Sequence, residues 1–168
     1  MAATISIREL NGATPGSAST ITNARYKTDD AYATDTNNPL VKPASGTNYS
    51  FWKFHYLNAD TSPSGTINNV KWYTDGAIGW SGCTLYVGVH SIYSQATGTV
   101  GTTGAVFSAA SYVAASFVSA VPLSIGGSID NPSTGKITDY IVTQVGVSTS
   151  ASAGTLAAET IYWRYDET

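Results

Sequence analysis

Charge is scarce in this chain. Asp, Glu, Lys and Arg make up 11% of its 168 residues, against about 25% in an ordinary soluble domain. The 8 Lys and Arg are scattered and the formal net charge is −3, so no phosphate-tracking stripe exists and nucleic acid is not an expected partner. The residues that build exposed helices are few, with 6 Leu, 3 Glu, 2 Gln and 1 Met, which disfavours a helical domain. One cysteine, Cys83, excludes an intrachain disulfide. It reads as a small buried apolar side chain, since no neighbouring His or helix N-terminus would activate the thiol. No apolar run approaches the length of a membrane-spanning helix. Residues 1–8 lack the basic start and apolar run of a secretory signal, so the expectation is synthesis in a cytoplasm.

What is abundant is small or aromatic. Ser, Thr, Gly and Ala supply nearly half the chain, alongside 11 Tyr and 4 Trp. A surface covered by hydroxyls, amides and Tyr tips hydrogen-bonds without strong repulsion between copies, so close packing of identical chains costs little. The length suits one domain, 1–168, able to bury about two-thirds of its unfolded surface without a staple.

Periodicity is close to two throughout. Ile5 and Ile7 share a face in a first strand, Thr4 to Leu10, so residues 1–12 read as an N-terminal strand or arm. Residues 13–48 are rich in turn residues (Pro15-Gly16, Asn37-Asn38-Pro39, Pro43, Gly46) and read as long loops around one short strand near 21–27. In 50–58, Trp52, Phe54 and Tyr56 share one face, with Phe51, Lys53, His55 and Leu57 on the other. In 67–74, Val70 and Trp72 oppose Lys71 and Tyr73. In 84–90, Leu85, Val87 and Val89 point inward and Tyr86, Gly88 and His90 outward. Residues 137–147 form the longest alternating run, Ile137, Ile141, Val145 and Val147 against Tyr140, Val142 and Gln144. The last strand, 159–166, sets Ile161, Trp163 and Tyr165 against Tyr162 and Arg164, and its aromatics suggest a central or well-covered position. Residues 105–120 are ambiguous: their alanines permit a short helix near 109–118, and their Val, Phe and Tyr permit two short strands. The pattern predicts an all-β antiparallel sandwich of seven or eight strands, jelly-roll-like because long loops separate some of them.

Chemistry is sparse. No phosphate loop, dinucleotide fingerprint, zinc spacing or nucleophile elbow is present, so no cofactor and no reaction are expected. His55 and His90 read as surface or interface imidazoles. Asp29, Asp30 and Asp35 are a weak Ca²⁺ candidate set, for which turn stabilisation is the better account. A glycosidase pair from Asp139 and Glu159 is conceivable, although each reads as a solvated strand end. Trp52, Trp72 and Trp163 fall on apolar faces. Trp80, between glycines, joins Tyr73, Tyr86, Tyr140 and Tyr162 on outward faces as a candidate contact surface, because Tyr and Trp give large area at low entropy cost. Ile5 and Ile7 complete that interface set.

In overall texture the chain resembles the head-decoration or cement proteins of tailed phages. The features that carry the likeness are the signal-less start, the Ile5/Ile7 strand, the loop-rich segment from Thr14 to Asn48 and the closing Ile161-Tyr162-Trp163-Arg164-Tyr165-Asp166-Glu167 strand. The resemblance implies a homo-oligomer, a trimer above all, bound to a major capsid protein on the outer shell, made in the host cytoplasm and ending in the virion. The N-terminal strand would add to a neighbour's sheet edge, so that deleting 1–12 abolishes assembly and spares the β signal. Alternatives are the subunit of an extracellular filament and a glycan-binding or adhesin module using Trp80.

Overall fold

A computed structural model describes residues 2–33, 36–108 and 112–168. It is an all-β sandwich of antiparallel sheets, with no helix among the described residues. The large sheet has the order β2-β1-β4-β13-β6-β9, formed by β1 (Ile5–Asn11), β2 (Ser17–Ile21), β4 (Lys53–Ala59), β6 (Cys83–His90), β9 (Val113–Ala114) and β13 (Tyr140–Ser148). The short β3 (Thr47–Tyr49) pairs with β13, and β12 (Gly135–Lys136) with β4. In the small sheet β5 (Thr66–Tyr73) is central. It carries β14 (Tyr162–Glu167) on one side and β10 (Leu123–Ser124) and β11 (Ile129–Asp130) on the other. A hairpin of β7 (Gly98–Thr99) and β8 (Thr103–Gly104) stands apart. The chain changes between the two main sheets from β4 to β5, β5 to β6, β9 to β10, β11 to β12 and β13 to β14.

Alternation puts one apolar set between the sheets. Leu57 and Ala59 of β4, Ile67, Val70 and Trp72 of β5, Leu85 and Val87 of β6, and Ile141, Val145 and Val147 of β13 form this core. The spacing of Ile67, Val70 and Trp72 does not fit a flat strand. A bulge resolves it: Asn69 adopts a positive φ of 51°, and the β5–β14 register shifts between Arg164 and Asp166. An extra residue in one strand returns all three side chains to the same face. Asn tolerates the left-handed conformation, and its Nδ2 donates to Asp166 Oδ2 at 2.7 Å.

A second core covers the opposite face of the large sheet. Leu10, Phe54, Tyr56 and Val142 pack there against Tyr93, Ala96 and Phe107 of the segment that follows β6, with Phe51 and Trp52 beside them. Gln144, fully buried, fastens this added layer. Its Nε2 donates to the carbonyls of Ser50 and Ala105, each at 2.7 Å. Its Oε1 accepts from Tyr112 Oη at 2.6 Å and Phe107 N at 3.2 Å. The molecule is therefore three-layered: small sheet, large sheet, loop layer.

Several local expectations need correction. Phe51 joins Trp52 in the second core, because β4 starts only at Lys53 and alternation does not reach back. The short strand of the loop-rich segment is β2, upstream of 21–27. β14 pairs only with β5 among the described residues, so it is an edge strand; its Trp163 and Tyr165 pack against the inter-sheet core and not against a second neighbour, while Tyr162 is exposed. β1 is paired on both sides, with β2 and β4, and is no free arm. In 105–120 the described residues form β9 and a Val118–Val121 bridge instead of a helix, while 109–111 lie outside the described residues.

Candidate functional site

The two sheets part at one end and leave a cleft of about 920 Å³, within the range of small-molecule sites. Ile7 of β1 and Ile21 of β2 line one wall. Trp72 and Trp163 of the small sheet line the other, and the segments 22–27 and 154–161 form the mouth. Three of the four tryptophans, Trp72, Trp80 and Trp163, border this space. Trp80 is fixed from two directions. Its Nε1 donates to the Ala157 carbonyl at 2.7 Å, and its ring meets Tyr26 edge-on with centroids 6.2 Å apart. The Tyr26 hydroxyl in turn donates to Thr143 Oγ1 at 2.9 Å. Glu159, at the rim, accepts from Gly79 N at 2.7 Å.

Behind the cleft lies a buried charged group. β1 and β4 set Glu9 directly opposite His55, and Lys53 lies two residues along the same face. Their relative exposures are 1%, 5% and 0%. Glu9 Oε2 meets His55 Nε2 at 3.1 Å. Glu9 Oε1 lies 3.3 Å from Lys53 Nζ, an ion-pair contact outside hydrogen-bond geometry. Lys53 Nζ donates to the Ala31 carbonyl at 2.9 Å, which ties the 22–33 segment over the sheet. Burial alone would raise the Glu9 carboxyl. The hydrogen bond and charge of His55 and the Lys53 ammonium outweigh it and hold the carboxyl below its ordinary value of 4.5. An ionised Glu9 places the shared proton on His55 Nε2. The other ring nitrogen, Nδ1, has no hydrogen-bond partner among the described residues. His55 also lines the cleft. The expectation of a surface imidazole is thus corrected: His55 is held inside by a carboxylate on the neighbouring strand.

The other predicted site residues are dispersed. Ile5 and Ile7 pack against their own inter-sheet core. Tyr73 and Tyr162 stack with centroids 5.0 Å apart, and Tyr86 stacks on Tyr112 at 5.4 Å. Tyr140 meets Phe54 and Tyr56 edge-on, with Lys136 Nζ 3.9 Å above its ring. Asp29 accepts from Lys27 Nζ at 3.0 Å, Asn38 Nδ2 at 3.0 Å and Ala31 N at 3.2 Å. Asp30 accepts from Gly12 N at 2.8 Å and Asn11 Nδ2 at 3.2 Å. Both carboxylates anchor turns, and Asp35 lies outside the described residues. Among the described residues no cluster of three His, Cys, Asp or Glu side chains is placed to hold a metal. Asp139 and Glu159 sit against different glycines, Gly126 and Gly79. Cys83 is half-buried, and burial pushes its thiol above the ordinary value.

One surface feature has a plain sequence signal. Between Asp75 and Asp130 the chain has no Asp, Glu, Lys or Arg. This stretch supplies β6 and β9 at one edge of the large sheet, the loop layer over its face, and β10 of the small sheet. Ile92, Val100, Val106, Val113 and Val121 are exposed within it. The cleft has no comparable signal, since Glu9, His55 and Trp163 come together only through strand pairing and sheet packing. Comparison with protein-family models, with curated proteins and with solved structures gives no match to this chain.

Proposed function

We propose that this protein is a virion structural subunit, a decoration or cement protein that stabilises a capsid shell by contact alone. The observation that supports it is the uncharged flank: five exposed aliphatic side chains, Ile92, Val100, Val106, Val113 and Val121, on one charge-free segment. Exposed aliphatic side chains on a stretch without charge are candidate contact points. The layer beneath them is rigidly fastened by Gln144 and by aromatic packing around Phe107, so little ordering entropy opposes docking. The partners in this reading are further copies of the chain, as a trimer, and a major capsid protein. Symmetric repetition makes individually weak contacts strong. The reading assigns the chain no reaction and no cofactor.

The test is light scattering and electron microscopy of the purified chain and of particles that carry it. Trimers and density on the outer shell are expected. The double substitution Val100→Lys and Val106→Lys should abolish assembly without changing the circular-dichroism spectrum. A persistent monomer that binds no shell, or a fibre, overturns the proposal.

A further inference from the structure

We propose that the cleft between the sheets is a saccharide-binding site, with the rings of Trp80, Trp163 and Tyr26 as stacking surfaces and His55 Nδ1 as a hydrogen-bonding group for a sugar hydroxyl at its base. This goes beyond the shell-binding reading and does not rest on it.

The argument begins with what the lining has left to offer. The Trp80 N–H and the Tyr26 hydroxyl are already spent on Ala157 and Thr143. What these side chains can give a ligand is ring surface. His55 supplies the opposite: a ring that is 5% exposed, lines the cleft, and has one nitrogen bonded to Glu9 and the other unpartnered among the described residues. Among the described residues the buried side-chain atoms without a partner are Glu9 Oε1 and Asn11 Oδ1, so His55 Nδ1 opens to the cleft and can exchange water for a ligand hydroxyl. At the rim, Arg25 has no hydrogen-bond or ion-pair partner among the described residues, and one Glu159 oxygen is free of the Gly79 contact. The cleft thus combines aromatic planes with a donor, a carboxylate and a deep imidazole nitrogen.

Competing ligand chemistries fit less well. A wholly apolar ligand would replace the water at His55 Nδ1 with hydrocarbon and offer it no hydrogen-bond partner. A phosphate compound wants several cations or a nest of backbone N–H groups, whereas Lys27, the other cation on the lining, is bonded to Ala33 O and Asp29. A sugar ring carries both features the cleft asks for. Its C–H face lies against an aromatic ring, and its hydroxyls bond to His55 Nδ1, donate to Glu159 and accept from Arg25. The volume of about 920 Å³ holds more than one such ring.

The placement of the tryptophans supplies the readout. Trp72, Trp80 and Trp163 border the cleft, and Trp52 lies in the second core on the opposite face of the large sheet. The full chain is titrated with a panel of neutral mono- to tetrasaccharides and, separately, with dodecanoate, while tryptophan emission and binding heat are followed. At least one saccharide is expected to shift the emission and bind saturably. Trp80→Leu should weaken that binding about tenfold, which is about 1.4 kcal/mol, and His55→Phe should weaken it by a similar factor. Circular dichroism checks that each variant is folded; if His55→Phe is not, Trp80→Leu decides alone. Saturable binding of dodecanoate with no saccharide response overturns the proposal. So does the absence of any saccharide binding, or binding that Trp80→Leu leaves unchanged. Shell assembly is read by light scattering, so the two readings fail separately.

Discussion

Two buried polar side chains hold this fold in ways their neighbours cannot replace. Gln144 meets four partners, Ser50 O, Ala105 O, Phe107 N and Tyr112 Oη. Gln144→Leu preserves volume but strands groups on both layers. A loss of about 3 kcal/mol is expected, measured by urea denaturation, with the Tyr86–Tyr112 stack loosened. Glu9 is the second. Replacing it by Gln leaves the Lys53 ammonium buried without its counter-charge, and a loss of about 3 kcal/mol is expected at neutral pH. The folded-state carboxyl is held below its unfolded value of 4.5. Its contribution is therefore fully present above that value and disappears as pH falls through the lower, folded-state one. The stability gap between the native chain and Glu9→Gln should narrow below about pH 4.5, which thermal melts across the acid range will show. Sequence reading missed both partners of Glu9 because Lys53 and His55 share a face with Leu57. In an alternating strand that face is either the wet one or the core, and the pattern does not say which.

At the scale of elements, β1 carries a consequence contrary to that of a detachable arm. It is hydrogen-bonded to β2 from Leu10 back to Ile7, and to β4 along its length from Ile5. It also supplies Leu10 to one core and Glu9 to the buried charged group. Deleting residues 1–12 removes an interior strand, so the expected outcome is loss of the β circular-dichroism signal itself, not loss of assembly with the fold intact. The β5 bulge was half legible: the irregular spacing of Ile67, Val70 and Trp72 requires an offset, and Asn69 is a residue that permits one. The edge position of β14 was not legible. Aromatic content reports burial of one face, and burial by the opposite sheet leaves the same mark in a sequence as burial between two neighbours.

For the whole molecule, the distribution of charge matters more than its total. All the Asp, Glu, Lys and Arg side chains fall outside the stretch between Asp75 and Asp130, which builds one edge of the large sheet, the loop layer over its face and β10 of the small sheet. Contacts made through such a flank lack ion pairs to screen. Assembly should therefore persist, or strengthen, in about 1 M salt, and sedimentation across a salt series checks this. Dissociation with rising salt would place the contacts on the charged remainder of the surface. The cleft lies between the sheets and the loop layer covers the large sheet's opposite face, so the proposed ligand site and shell contacts made through the loop layer would lie on opposite sides of the large sheet.

The sequence alone determined the class of architecture. Period-two alternation, turn residues between runs and the shortage of helix-building side chains all follow from local stereochemistry, which each segment obeys on its own. It also determined which side chains share a face in β6 and β13, because a pleated strand has only two faces, but not that the face of β6 read as outward, with Tyr86, Gly88 and His90, is covered by the loop layer. Only the tertiary structure decided which face of the large sheet meets the small sheet and which is covered by loops. It alone set Glu9 opposite His55, left β14 at an edge and opened the space beside Trp163. Those outcomes depend on pairing between residues far apart in the chain, and the free energy that selects the pairing is a property of the packed whole and not of any one strand.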